Sequence, residues 1–307
     1  MTYPSAPTYL SGPSYLLGEH EEDHTSIPRL AERAAAFQLL PKPALWGWGT
    51  VRRTERPLTE LMVETGRRTL DRAGVQPGQV DGLVLCTTSI TEPAEHHGQF
   101  VAEVLTGLGL GDVGCYGLSL NRCTNLLAGI DLATALVAGG RYRRMLVITA
   151  DRVLDETERM VSYALFSDGA AGCLIGSEPA GESFAVLGCA NAQDAGSMAA
   201  TAEISSELSR TVNARLLEPH GMKLDDICAV MHLNIFLPLV VVKERQAGYT
   251  AEQIYTGNIT RVGHCFAADP LINLLDRQTH PGHHYLLVAS VPGSRFGVLL
   301  RKQDEDG

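Results

Sequence analysis

One spacing, present twice, restricts the fold more than any other feature of the sequence. A helical stretch closed by a glycine is followed six residues later by a short branched apolar run with an aspartate near its start. Gly74, Val80 and Asp81 form the first copy; Gly221, Ile227 and Asp226 form the second. Around the first copy, Leu58 to Ala73 places Leu58, Leu61, Met62 and Leu70 on one helical face. Val80 to Cys86 then reads as a buried strand, His97 to Leu108 as a helix and Cys115 to Leu120 as a strand. Thr124 to Ala138 is a helix stopped by Gly139-Gly140, and Met145 to Thr149 is the next strand. Strand, helix and strand in succession imply an α/β fold with a mainly parallel sheet covered on both faces.

The second half repeats the order. A helix over Ser205 to Pro219 precedes a strand at Ile227 to Met231. A helix over Ala267 to Arg277, a strand at Tyr285 to Ala289, a turn at Pro292-Gly293 and a strand at Phe296 to Leu300 match Thr124 to Thr149. The halves therefore read as diverged copies, two pseudo-duplicated lobes over residues 1–178 and 179–307, with Pro179 and Gly181 interrupting the pattern between them.

Composition narrows the chemistry. At 307 residues and 45% hydrophobic, the chain can bury a large core. Its longest apolar stretch, Ala229 to Val242, is broken by His232, Asn234 and Pro238, so no membrane span is expected. The first twelve residues lack the basic and apolar blocks of a secretory leader, and a cytoplasmic location is expected. A net charge of −10 disfavours nucleic acid and anionic membranes as partners. Seven cysteines without a CxxC pair suit reduced thiols. Gly109 to Gly114 spells GxGxxG but follows a helix and precedes a strand, the reverse of a dinucleotide turn. The pairs His96-His97 and His283-His284 lack the companions of a metal site, so no metal and no bound cofactor are expected.

In a parallel sheet, reactive groups collect past the carboxyl ends of the strands. Cys123 falls there, between a strand and the helix opening at Thr124, where backbone N–H groups and the positive end of the helix dipole favour a thiolate nucleophile. His232 occupies the equivalent strand exit in the second half, and pseudo-twofold packing would bring the two exits together.

Three segments carry a resemblance. Val84-Leu85-Cys86-Thr87-Thr88-Ser89, Asn121-Arg122-Cys123-Thr124-Asn125 and Leu165-Phe166-Ser167-Asp168-Gly169-Ala170-Ala171-Gly172 occur in the order found in ketoacyl-acyl-carrier-protein synthase III of the thiolase superfamily. The resemblance extends from about Tyr9 to Lys302 and implies a thiolase-like α-β-α-β-α layering and a homodimer. It also implies Cys123 as the acyl-carrying nucleophile and His232 as an assisting histidine. His264 aligns with the family's assisting asparagine, which makes a Cys/His/His set; Asp269 offers an alternative by orienting His232 as a general base. The N–H groups of Cys123 and Gly293 are the candidate oxyanion hole.

Departures from the family are equally specific. His232 continues as Leu233-Asn234-Ile235 instead of Gln-Ala-Asn. The acyl-pocket segment carries Glu92-Pro93-Ala94-Glu95, with Ala94 and Glu95 as candidate lining residues. Trp46-Gly47-Trp48-Gly49 lacks the arginine expected of a coenzyme A site, so an acyl carrier protein is the favoured donor over coenzyme A, with docking expected at Arg52 and Arg53 or at Arg141, Arg143 and Arg144. Condensation of acyl-Cys123 with a malonyl-type thioester is the first expectation. Transfer of the acyl group to an oxygen or nitrogen of a small natural product is the second, and a degenerate partner subunit the third. The altered motifs suit specialised metabolism of the fatty acid or polyketide type.

Overall fold

A computed structural model describes residues 6–88, 90, 93–199 and 205–304. The first half runs β1 (Tyr9–Leu17), β2 (His20–Asp23), α1 (Leu30–Ala36), α2 (Pro43–Trp46), β3 (Thr50–Arg53), α3 (Leu58–Ala73), β4 (Gly82–Cys86), α4 (His97–Leu108), β5 (Gly114–Leu118), α5 (Asn125–Ala138), β6 (Arg144–Asp151) and β7 (Gly169–Gly176). The second runs β8 (Ser183–Gln193), α6 (Ser206–Leu217), β9 (Ile227–Met231), α7 (Leu237–Gln246), β10 (Ile254–Tyr255), α8 (Gly257–Arg261), α9 (Asp269–Asp276), β11 (His284–Val291) and β12 (Ser294–Lys302).

Ten strands form one hydrogen-bonded sheet in the order β10-β9-β11-β12-β8-β1-β7-β6-β4-β5, and β2 pairs with β3 separately. Counted in chain order within its half, each set of five is arranged third, second, fourth, fifth, first. The two sets meet where Tyr9, Leu10 and Ser11 pair antiparallel with Ala185, Phe184 and Ser183. The repeated spacing of the sequence thus corresponds to a repeated strand order. Parallel pairing is confined to β5-β4-β6 and β10-β9-β11, and the remaining pairs are antiparallel, so the sheet is mixed.

Helices α5 and α9 touch strands of both halves, which places them inside, while α3 packs on β1, β6 and β7 and α6 on β8 and β12 from outside. The sequences fit these places. In α3 the buried residues Leu58, Leu61, Met62, Thr65, Thr69, Leu70 and Ala73 recur at helical spacing and leave the opposite face charged. The α5 sequence is apolar nearly all round, and Leu126, Leu127 and Ile130 are fully buried, each stabilising the fold by about 1.5–3 kcal/mol. Gly129 lets α5 approach the sheet, since a Cβ there would lie 2.8 Å from Cys86 Sγ.

Strands β1, β7 and β8 and helix α7 lie beyond the elements expected from periodicity. In β1, Gly12 and Pro13 sit at an irregularity between Ser11 and Ser14; Gly12 has φ +54° and a Cβ on it would meet Thr69 O of α3 at 2.5 Å. The β7 sequence GAAGCLIG is buried at every position, so no alternation marks it.

Candidate active site

Cys123 lies in a single 3-10 turn, Arg122–Thr124, that leads directly into α5. Local bonds define the turn: Thr124 N and Oγ1 donate to Asn121 O, and Asn121 N donates to Asn125 Oδ1 at 3.0 Å. Arg122 takes a left-handed φ of 54°, uncommon for a side-chain-bearing residue, and its guanidinium donates to Pro292 O at 2.7 Å. That bond ties the Cys123 turn to the β11–β12 turn holding Gly293, the residue expected to share an oxyanion hole with Cys123. Gly293 has φ +69°, and a Cβ would strike Asp194 O at 2.6 Å. Cys123 is 7% exposed, which keeps its sulfur at the edge of the core.

His264 and Asp269 come together. The Nδ1 of His264 lies 2.5 Å from Asp269 Oδ2, and both residues are completely buried. Asp269 opens α9, where a helix N-terminus favours negative charge. Three more donors reach its carboxylate: Asn234 N at 2.6 Å, Asn234 Nδ2 at 3.2 Å and Cys265 N at 2.8 Å. Burial alone would lower the His264 pKa; the Asp269 carboxylate and the Cys123 thiol outweigh it and hold the imidazole at about 10. With Nδ1 given to Asp269, no hydrogen bond is completed at Nε2 among the described residues, and Cys123 is the neighbour left to it.

The Phe166-Ser167-Asp168-Gly169 segment builds this corner. His264 N donates to Leu165 O and Ser167 N to His264 O, so the segment clamps the histidine backbone. Asp168 accepts from Thr54 N, Val153 N and the buried Arg159, which fixes the loop from beneath. Phe166 stacks on the His264 ring at 5.0 Å between centroids, Phe266 stacks on Phe166 at 4.4 Å, and Tyr163 meets His264 edge-on at 6.5 Å. Burial, and then the Cys123 charge, push the Tyr163 phenol upward, so it remains a neutral hydroxyl near the sulfur. The aromatic wall had no local signal beyond the Phe in the motif.

His232 is placed differently from the expectation. Its Nε2 lies 3.1 Å from Glu244 Oε1 and its Nδ1 3.1 Å from Leu233 O, so Asp269 orients His264 and not His232. The cause is a buried ion pair: Arg295 of β12 holds both oxygens of Glu244 of α7, at 2.6 and 3.0 Å, and also donates to Ser290 Oγ. A fully buried carboxylate attracts the imidazole beside it. Burial raises the Glu244 pKa, but Arg295 and His232 more than offset this and lower it to about 2. Because the folded pKa is depressed from an ordinary 4.5, the stabilisation is complete above pH 4.5 and is lost as pH falls through about 2. Glu244→Gln strands Arg295 without a counter-ion and is expected to cost about 3–5 kcal/mol at neutral pH. Urea midpoints followed from pH 7 to pH 2 should converge for the variant and the parent at the acid end; parallel curves would contradict the pairing.

The remaining expected residues are dispersed. Ala94 and Glu95 form an exposed turn before α4, and Ser89, Thr91 and Glu92 lie outside the described residues. Arg52 pairs with Glu21, Arg53 with Glu22 and Glu156, and Arg144 with Glu178; Arg141 covers the Tyr142 ring, and Arg143 is exposed. Arg141, Arg143 and Arg144 also follow the far end of α5, whose 14 residues span about 20 Å from the Cys123 turn. The helix that begins at the Cys123 turn thus carries these arginines toward the opposite end of the sheet from Cys123. Among the described residues, no group of three or more His, Cys, Asp or Glu could hold a metal ion, and no helix is long and apolar enough to cross a membrane.

Comparison with known proteins agrees with this architecture. The family model for 3-oxoacyl-[acyl-carrier-protein (ACP)] synthase III matches residues 119–195, from just before Cys123 to the end of β8. A beta-ketoacyl-[acyl-carrier-protein] synthase III of Helicobacter hepaticus is 30% identical over 138 residues, 42% of this chain and 39% of the relative, so the match spans well under half of that protein. The enzyme of the same name from a Roseiflexus species is 26% identical over 267 residues, 75% of this chain and 78% of its own. The solved structure of ChlB3, described as an acyltransferase, superposes with a TM-score of 0.81 at 18% identity, covering 97% of this chain and 98% of its own, a likeness of fold. With the motif segments in order and the duplicated strand arrangement, the chain is similar in sequence to ketosynthase III enzymes and has the thiolase fold.

Proposed function

We propose that this protein takes an acyl group from a thioester onto Cys123 and passes it to a hydroxyl or amine of a small molecule without loss of carbon dioxide. The observation that carries the reading is the position of Asp269 on His264 Nδ1, which leaves the other imidazole nitrogen to the thiol. Such a set closes a proton cycle. Cys123 sulfur attacks the donor carbonyl, and the His264 imidazolium gives its Nε2 proton to the departing thiol. Neutral His264, its Nδ1–H held by Asp269, then removes the proton of the acceptor as its oxygen or nitrogen attacks acyl-Cys123. Collapse expels the Cys123 thiolate beside the restored imidazolium. The N–H groups of Cys123 and Gly293 are the proposed donors to the oxyanion in both steps.

Decarboxylative condensation is the second reading, favoured by the synthase III match over residues 119–195. Against it, His232 has both ring nitrogens engaged away from Asp269, so a pair of imidazole donors for a malonyl thioester is not assembled. An acyl carrier protein is the proposed donor. A second copy of the chain is the proposed partner, because β5 is the last strand of the sheet and Leu120 just beyond it is 93% exposed.

Intact-protein mass spectrometry separates the readings. Incubation with acyl-loaded carrier protein or acyl N-acetylcysteamine should add one acyl mass at Cys123. Discharge by alcohol or amine acceptors without carbon dioxide supports transfer; carbon dioxide release with a malonyl thioester supports condensation. No adduct with any thioester would leave the partner-subunit reading.

A further inference from the structure

We propose that Asn234, Asn273 and Asn258 are positioning residues, a one-way chain of amide hydrogen bonds that sets the Asp269 carboxylate on His264. The proposal deepens the proton cycle above and rests on it for its catalytic consequence, but not for its geometry. All three asparagines are at most 3% exposed. Asn234 Nδ2 donates to Asp269 Oδ1 at 3.2 Å. Asn234 Oδ1 accepts from Asn273 Nδ2 at 3.0 Å, and the same amide donates to His232 O at 2.7 Å. Asn273 Oδ1 accepts from Asn258 Nδ2 at 2.9 Å, which also donates to Asp276 Oδ2 at 2.9 Å.

The chain has a direction, and its outer end dictates it. Asn258 Oδ1 accepts from Arg261 Nε at 3.0 Å and Nη2 at 2.6 Å. A guanidinium has donors only and does not lose its charge, so Asn258 must turn its oxygen outward and its NH2 inward. Asn273 then turns its oxygen to Asn258 and its NH2 to Asn234, and Asn234 turns its NH2 to Asp269. Flipping any one amide would set oxygen against oxygen in a buried place, at about 1–3 kcal/mol for each group left unpaired. Asp276 secures the outer end, pairing with Arg261 and accepting from Tyr15 O–H at 2.7 Å. The residues span β1, α8, α9 and the segment after β9, so a charge in one part of the fold orients the carboxylate in another.

The test reads His264 directly. In the full-length protein with 15N-labelled histidine, proton and nitrogen NMR report the Nδ1–H held by Asp269. In Asn273→Asp, which has the same shape but no NH2, the His264 Nδ1–H resonance at pH 8 and the pH at which the imidazole titrates should both shift from the parent's values. Partial return at acid pH is expected, once the buried carboxyl at 273 is protonated and can donate. Acyl transfer should fall about tenfold in kcat with KM little changed, the order seen when the outer partner of a metal-bound histidine is removed. Arg261→Met, at a half-exposed position, should produce a smaller shift of the same sign and serves if the 273 variant does not fold. Unchanged His264 resonances and titration in the folded variants would overturn the proposal. A normal resonance shift in a protein that forms no acyl adduct would instead retain the positioning chain and reject the acyl-transfer reading.

Discussion

Cys123→Ala is expected to lose the acyl adduct entirely and to reduce transfer by about 10⁴-fold or more, the scale on which removal of a covalent nucleophile acts. The expectation is sharp because the other buried thiols are poor substitutes. Burial pushes Cys86 and Cys265 far above the ordinary thiol range, with nearby carboxylates adding to it, and burial raises Cys173 and Cys189 as well. Cys115, partly covered on β5, is raised to about 11. Cys265 adjoins His264 in the chain, but its sulfur faces Asp168 O at 3.9 Å, and burial with the carboxylates of Asp269 and Asp168 holds it as a neutral thiol. Peptide mapping of the acylated parent should therefore place the added mass on the peptide containing Cys123, and Cys123→Ser should retain little of it, since a hydroxyl is a weaker nucleophile at the same site. An adduct of equal yield in Cys123→Ala would reject the nucleophile assignment, whatever its cause.

Local signals account for the parts of this site that could be read in the sequence. Cys123 stands at a strand-to-helix junction, and that junction forms in the structure because Asn121, Thr124 and Asn125 supply the bonds of the turn. His264 and Asp269 are five residues apart, enough for one tight turn before a helix whose first residue is the aspartate. Helix α3 and strand β9 have the bounds expected, since both carry continuous apolar patterns. The direction of the His232 ring was not legible, because it depends on Glu244 and Arg295, 51 residues apart and brought together only when α7 packs beside β12. Strand β1 was hidden by the Gly12-Pro13 irregularity, and β7 by small residues that let α3 lie close to the sheet. For the basic cluster at Arg141, Arg143 and Arg144, charge is legible in the sequence, whereas its distance from Cys123 depends on the length and direction of α5.

The two histidines should respond very differently to substitution, and the contrast bears on which of them serves Cys123. His264→Ala removes the group proposed to protonate the departing thiol and to accept the acceptor's proton, and a loss of about 10²–10⁴-fold in transfer is expected. Asp269→Asn should lie between this variant and the parent, because the imidazole remains while its carboxylate partner becomes neutral. His232→Gln removes one contact to Glu244 but leaves both Arg295 bonds to that carboxylate, so transfer should stay within about tenfold of the parent while the urea midpoint falls. Acyl-enzyme decay followed by mass against pH adds a second readout. The parent should speed up as His264 loses its proton, His264→Ala should lose that dependence, and His232→Gln should keep it. If His232→Gln instead flattened the profile and His264→Ala did not, the imidazole serving the thioester would be the one on Glu244, and the proton cycle proposed here would fail.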